Sequence, residues 1–160
     1  MQYTNSTTPG ATCSTTDTSH PFLAKCVQDG HGNRSSLTYT TAGNLATVAD
    51  TSAVSTGVTR SYKYQGDPGV TCGGFPGQQC AATNGNGKTT TYAYNATGQL
   101  TKITPPAPGV ATTFGYDSLS RLTSVHTPNG ITVTYSYDNR DQRTQTVYSV
   151  GGTVVYSCLS

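Results

Sequence analysis

Phe114-Gly115-Tyr116-Asp117-Ser118-Leu119-Ser120-Arg121-Leu122 repeats, with substitutions, what Thr91-Tyr92-Ala93-Tyr94-Asn95-Ala96-Thr97-Gly98-Gln99-Leu100 spells before it. Tyr135-Ser136-Tyr137-Asp138-Asn139-Arg140-Asp141-Gln142-Arg143 spells it again. The second aromatic falls at positions 94, 116 and 137, steps of 22 and 21 residues. A fixed period of this size marks an array of one small structural unit, in which each copy buries its apolar face only against its neighbours.

The physics of one unit is legible in these residues. Tyr92 and Tyr94, like Tyr135 and Tyr137, stand two apart and project from one face of a strand. The Asp or Asn that follows (Asn95, Asp117, Asp138) caps a turn by accepting the backbone N–H groups just ahead of it. Gly98 supplies a left-handed position at no steric cost, and Ser120 and Asp141 stand where the other copies need the same conformation. A second strand follows, with Leu100 and Ile103, or Leu122 and Val125, three apart rather than two, which implies a bulge. Pro105 to Gly109 and Pro128-Asn129-Gly130 then reverse the chain, the Asn-Gly pair favouring a tight hairpin. Each unit is therefore a β-hairpin, and the chain is expected to be all-β: tandem hairpins in an antiparallel meander.

Composition supports this. With 33% hydrophobic and 10% charged residues, 18 Gly and 11 Tyr, apolar content is spread over many thin strands, and Thr and Tyr suit a pleated surface. No stretch carries apolar residues at helical spacing. The nine Lys and Arg are dispersed and the net charge is +2, which gives nucleic-acid binding no electrostatic footprint. The apolar runs are too short for a membrane-spanning helix. Met1 to Ser6 lacks the basic flank and apolar core of a signal peptide.

Organisation follows the pattern. Residues 1–28 are irregular or a degenerate copy. Residues 29–83 hold divergent copies, with Tyr39 and Tyr64 as the aromatics and a cysteine-bracketed loop inserted after Tyr64. Residues 84–160 hold the regular copies, the last cut short after Tyr156-Ser157-Cys158. Among five cysteines, Cys72 and Cys80 bracket Gly73-Gly74-Phe75-Pro76-Gly77, and a disulfide there would stabilise the loop by about 2–3 kcal/mol. Cys13 with Cys26 is the second expected pair, which leaves Cys158 free; five reduced thiols is the alternative. No Cys-x-x-Cys occurs and the histidines are scattered, so no metal site or cofactor is expected.

Tyr-x-Tyr-Asp-x-x-Gly-Arg-Leu-x-x-Val-x-x-Pro-x-Gly is the signature of YD repeats, and the chain resembles that Rhs family. Tyr116, Asp117, Arg121, Leu122 and Val125 carry the signature with Pro128 and Gly130, and Tyr135 to Asp138 open the next copy. The resemblance is good over residues 84–152 and weaker over 29–64. It implies a segment of a spiralling β-sheet shell that encloses or presents a C-terminal, toxin-type domain. It also implies further repeats of the same chain as partners, and a secreted or cell-surface location. Tyr92, Tyr94, Gly98, Leu100, Tyr116, Asp117, Arg121, Leu122, Tyr135, Tyr137 and Asp138 are then structural motif residues, and no catalytic residue is expected. Asp117 and Asp138, as equivalent turn residues, form a line rather than a pair converging across a cleft. The alternative is a carbohydrate-binding or adhesive ribbon, with glycans on an exposed ladder of Tyr94, Tyr116 and Tyr137.

Overall fold

The computed structural model describes residues 2–4, 22–31, 33–51 and 57–159. Every regular element among them is a strand. They fall into two compact units, residues 1–71 with 76–89 and residues 72–75 with 90–160. Cys13 and most of the N-terminal segment lie outside the described residues.

The first unit contains β1 (Gln2–Thr4), β2 (Cys26–Gln28), β3 (Arg34–Tyr39), β4 (Leu45–Thr51), β5 (Thr59–Tyr64) and β6 (Gln79–Thr83). Consecutive strands pair antiparallel throughout. The second unit contains β7 (Thr89–Tyr94), β8 (Leu100–Thr104), β9 (Thr112–Tyr116), β10 (Leu122–His126), β11 (Ile131–Tyr137), β12 (Arg143–Val150) and β13 (Thr153–Leu159), again each paired with the next. This is the antiparallel meander that the alternating Tyr-x-Tyr and Leu-x-x-Val patterns dictate.

Six of the turns among the described residues take one five-residue form. In Asp117–Arg121 the N–H of the first residue donates to the carbonyl of the fifth, and the N–H of the fourth to the carbonyl of the first, both at 3.0 Å. The same pair of bonds closes Thr40–Asn44, Asn84–Lys88, Asn95–Gln99, Thr127–Ile131 and Asp138–Gln142. The fourth residue is left-handed each time, including the non-glycines Ser120 (φ 67°) and Asp141 (φ 63°). That conformation ends the turn one residue late and makes the expected bulge: pairing shifts between Ala93 and Tyr94, and between Leu122 and Ser124. The shift places Tyr94 opposite Leu100 and Tyr116 opposite Leu122.

One expectation is refined. Asn129-Gly130 does not form a two-residue hairpin; Pro128 takes the second turn position, its fixed φ suiting a type I turn, so Asn129 and Gly130 occupy the third and fourth. The two-residue turn is Gly151-Gly152, both left-handed, between Val150 and Thr153. The cysteine-bracketed insertion is held at its base by Gln65 and Gln78. Its residue Cys72 accepts from the N–H of Tyr94 at 2.8 Å. A Cβ on the next residue, Gly73, would lie 2.1 Å from the Tyr94 carbonyl oxygen, so only glycine permits the loop to lie against β7.

The core is thin. Among the described residues, Cys26, Cys80 and Val133 are the buried apolar ones, joined by Thr146. Val154, Val155, Tyr156 and Leu159 on β13 are exposed. Stability of such a chain rests on turns and inter-strand bonds rather than on an interior. Gly98→Ala forces a Cβ into the left-handed region, and is expected to lower unfolding free energy by about 1 kcal/mol. Ser120→Gly relieves the same strain and is expected to raise it by a similar amount, both read from urea titration of the full chain.

Candidate functional site

The recurrent constellation of this chain is the joint between successive hairpins. It begins at the turn head. Asp117 Oδ1 accepts the N–H groups of Leu119 and Arg121, both at 2.9 Å. Asn95 does the same for Thr97 and Gln99 (3.1 and 2.9 Å), and Asp138 for Arg140 and Gln142 (2.8 and 2.9 Å). Asp29 and Asn84 head two further turns in the same way. These are the side-chain-to-backbone bonds that make Asp and Asn turn formers. The bond from the Arg121 N–H, with desolvation opposing it and the Arg121 side chain assisting, holds the Asp117 carboxyl below the ordinary aspartate range.

The second part is the tyrosine hydroxyl. Tyr116 OH donates to the Leu100 carbonyl at 2.9 Å, and Tyr137 OH to the Leu122 carbonyl at 2.7 Å. In the first unit Tyr64 OH reaches the Leu45 carbonyl at 2.8 Å, and Tyr39 OH the Ala24 carbonyl at 2.7 Å. The register explains why. β8 pairs with β9 only at Lys102 and Ile103, and β10 with β11 only from Ser124 to His126. The carbonyls of Leu100 and Leu122 lie beyond the paired stretch, where no N–H of the next strand reaches them. A phenol fills the gap and keeps the ladder satisfied. Burial raises the phenol pKa of Tyr39, Tyr64 and Tyr94, so these rings are neutral well beyond neutral pH and remain hydrogen-bond donors.

The third part is the fifth turn residue, which reaches the next turn. Arg121 Nε meets its own Asp117 Oδ2 at 2.7 Å, while Nη1 bonds the Asp138 carbonyl at 3.0 Å and Asp141 Oδ1 at 2.9 Å. Its guanidinium lies 4.8 Å from the Tyr137 ring centroid, within the range of cation–π attraction. The Asp117 hydrogen bond, opposed by desolvation, raises the Arg121 pKa further. Gln99 does the neutral equivalent, its Nε2 donating to the Ser120 carbonyl at 3.0 Å.

The structure thus joins Leu100 to Tyr116, Leu122 to Tyr137, and Asp117, Arg121, Tyr137 and Asp138 to one another. It gives Asn95 and Gly98 the turn roles read from their types. Arg143 lies over the Tyr135 ring at 5.7 Å, and Tyr148 and Tyr156 form a tilted ring pair at 5.8 Å; neither contact was anticipated, nor were the hydroxyl bonds. The recurrence of Tyr, rather than Phe, at the second aromatic position was the available signal for the latter. Cys26, Cys72 and Cys80 are disulfide-bonded and Cys158 is free. Among the described residues no group of three His, Cys, Asp or Glu side chains is placed to hold a metal ion, and no helix is long and apolar enough to cross a membrane.

Tyr137→Phe removes the donor and leaves the Leu122 carbonyl without its partner, an expected loss of about 1–2 kcal/mol by urea titration. Ala93→Val, on the same kind of strand but outside the joint, is expected to change little. The lowered pKa of Asp117 fixes a pH dependence. A depressed carboxyl contributes stability that is complete above the unfolded pKa of about 4 and is lost as pH falls through the lower folded value. Asp29, lowered chiefly by the Asn33 side chain, acts in the same direction. Melting temperature is expected to fall on acidification below about pH 4, with a shallower fall for Asp117→Asn.

The family model for the RHS repeat matches residues 77–110, 107–132 and 116–153. No curated protein matches the chain. Among solved structures, it is similar to a chain of the TcdB2–TccC3–Cdc42 complex, at 19% identity and a TM-score of 0.43, with 84% of this chain and 9% of that chain covered. A chain of the Photorhabdus luminescens Tc holotoxin pore is similar at 16% identity and a TM-score of 0.46, with the same coverage. This chain therefore spans about one-eleventh of the length of the structures it matches. The three overlapping matches begin in the last strand of the first unit and run over the turns and tyrosine joints of the second, so residues 77–153 are RHS repeats.

Proposed function

We propose that the chain is a non-catalytic wall segment of a larger RHS-repeat protein, whose β-sheet shell encloses or presents a C-terminal toxin-type domain. The observation that carries this is the use made of its polar side chains. Asp117, Asp138 and Asn95 spend their acceptor oxygens on turn amides, and Arg121 bridges two turns. The groups that an active site would need are built into the wall. Partners on this reading are further repeats of the same protein and the enclosed domain, in a secreted or cell-surface setting.

The carbohydrate-binding alternative needs open tyrosine faces, whereas Tyr116 and Tyr137 are half-buried and Arg121 lies over the Tyr137 ring. The hydroxyls of Tyr116 and Tyr137 are bonded to backbone carbonyls, which favours the wall reading.

The test is limited proteolysis of the whole gene product that carries these repeats, tagged at its C-terminal domain. A wall predicts that the tag-bearing domain resists protease until cuts appear within the repeats. Digestion of that domain at the rate of an isolated one would contradict the proposal.

A further inference from the structure

We infer that Arg121, fifth in its turn, and Asp141, fourth in the Tyr-Asp turn of the next repeat, form a recognition pair, by which this repeat selects its successor. At two consecutive joints the fifth residue reaches the turn of the next repeat, once through a backbone carbonyl that any residue offers and once through a side chain. Gln99, fifth in its turn, is neutral and takes the carbonyl of Ser120, fourth in the next. Arg121, fifth in its turn, is charged and takes the carboxylate of Asp141, fourth in the next, together with the carbonyl of Asp138. The acid appears where the arginine needs it.

The placement of Asp141 calls for such an explanation. Its φ of 63° is a conformation that glycine adopts freely and a side chain adopts at a cost. Ser120 holds the same conformation at φ 67° with no charge to offer. Aspartate is among the side chains that tolerate the left-handed region, so a plain turn role would also place it here. The two readings part over what Arg121 requires. With only 22% of its side chain exposed, the guanidinium has its own Asp117 on one side and the next turn on the other. A glycine or a basic residue at position 141 would leave the second side of the fork without its charged acceptor. Arg121 would keep Asp117, so mismatched repeats are disfavoured by the loss of one charge-assisted bond across the joint.

The inference concerns how repeat meets repeat. It stands or falls independently of whether the finished shell holds a toxin-type domain, and proteolytic protection does not bear on it.

The test is a double-mutant cycle on the full chain, read as melting temperature. Ser120→Gly serves as the control and is expected to raise it whether residue 121 is Arg or Gln. With Arg121 present, Asp141→Gly is expected to leave the melting temperature unchanged or lower it. In the Arg121→Gln background the same substitution is expected to raise it, reversing sign. Loss of the Asp117 contact on replacing Arg121 is common to both Gln arms and cancels. Asp141→Asn keeps a residue tolerant of the left-handed region and removes only the charge; it is expected to lower the melting temperature with Arg121 and to be neutral with Arg121→Gln. Equal effects of Asp141→Gly in the two backgrounds, or equal effects of Asp141→Asn, would overturn the inference.

Discussion

One oxygen at the head of the Asp- and Asn-led turns organises the chain. Asp117 Oδ1, and its counterparts on Asn95 and Asp138, takes two backbone N–H groups that would otherwise face water or compete for other partners. Holding those amides fixes a five-residue turn with a left-handed fourth residue. The turn fixes the bulge, and the bulge sets which residue of the returning strand faces the second tyrosine. A one-residue slip would carry every side chain of the returning strand to the other face. Among the described residues no large apolar core is present to correct such a slip, so the turn has to specify the register.

The tyrosine hydroxyl solves a problem that the same turn creates. Bulges twist neighbouring hairpins apart, so adjacent repeats pair over only two or three residues, as between β8 and β9 or β10 and β11. Carbonyls just outside that contact are left facing the next repeat with no amide opposite. Tyr116 and Tyr137 reach across and satisfy them, and Arg121, stacked on Tyr137, ties the two turns together at the same end. Coupling between repeats thus combines a short backbone ladder with directional side-chain bonds at the turn end. This suits an element of a wall, which must stay in register with its neighbours along a great length while burying little of itself.

Much of this was legible in the sequence, because the turn is local chemistry. Asp or Asn after Tyr-x-Tyr, and glycine three residues later, specify the turn wherever they occur. The periodicity even marked Ser120 and Asp141 as left-handed positions despite their side chains, and Leu-x-x-Val spacing marked the bulge. Long-range geometry was not legible. That the phenol of Tyr137 ends at the Leu122 carbonyl depends on how far adjacent hairpins splay, which no spacing rule encodes. The reach of Arg121 into the next turn is hidden likewise, since its partner lies 20 residues on. Asn129-Gly130 misled because its neighbour Pro128 fits an early position of a longer turn, and an Asn-Gly pair alone does not reveal the loop length.

Amide hydrogen exchange across residues 90–145 tests the turn oxygen most directly. The account predicts that the N–H groups of Thr97, Gln99, Leu119, Arg121, Arg140 and Gln142 exchange slowly although they lie in solvent-facing turns, and that Asp117→Ala releases Leu119 and Arg121 together. Exchange of those amides at the rate of an unstructured chain, with the strands still protected, would show that the strands hold the turns rather than the reverse, and would contradict it.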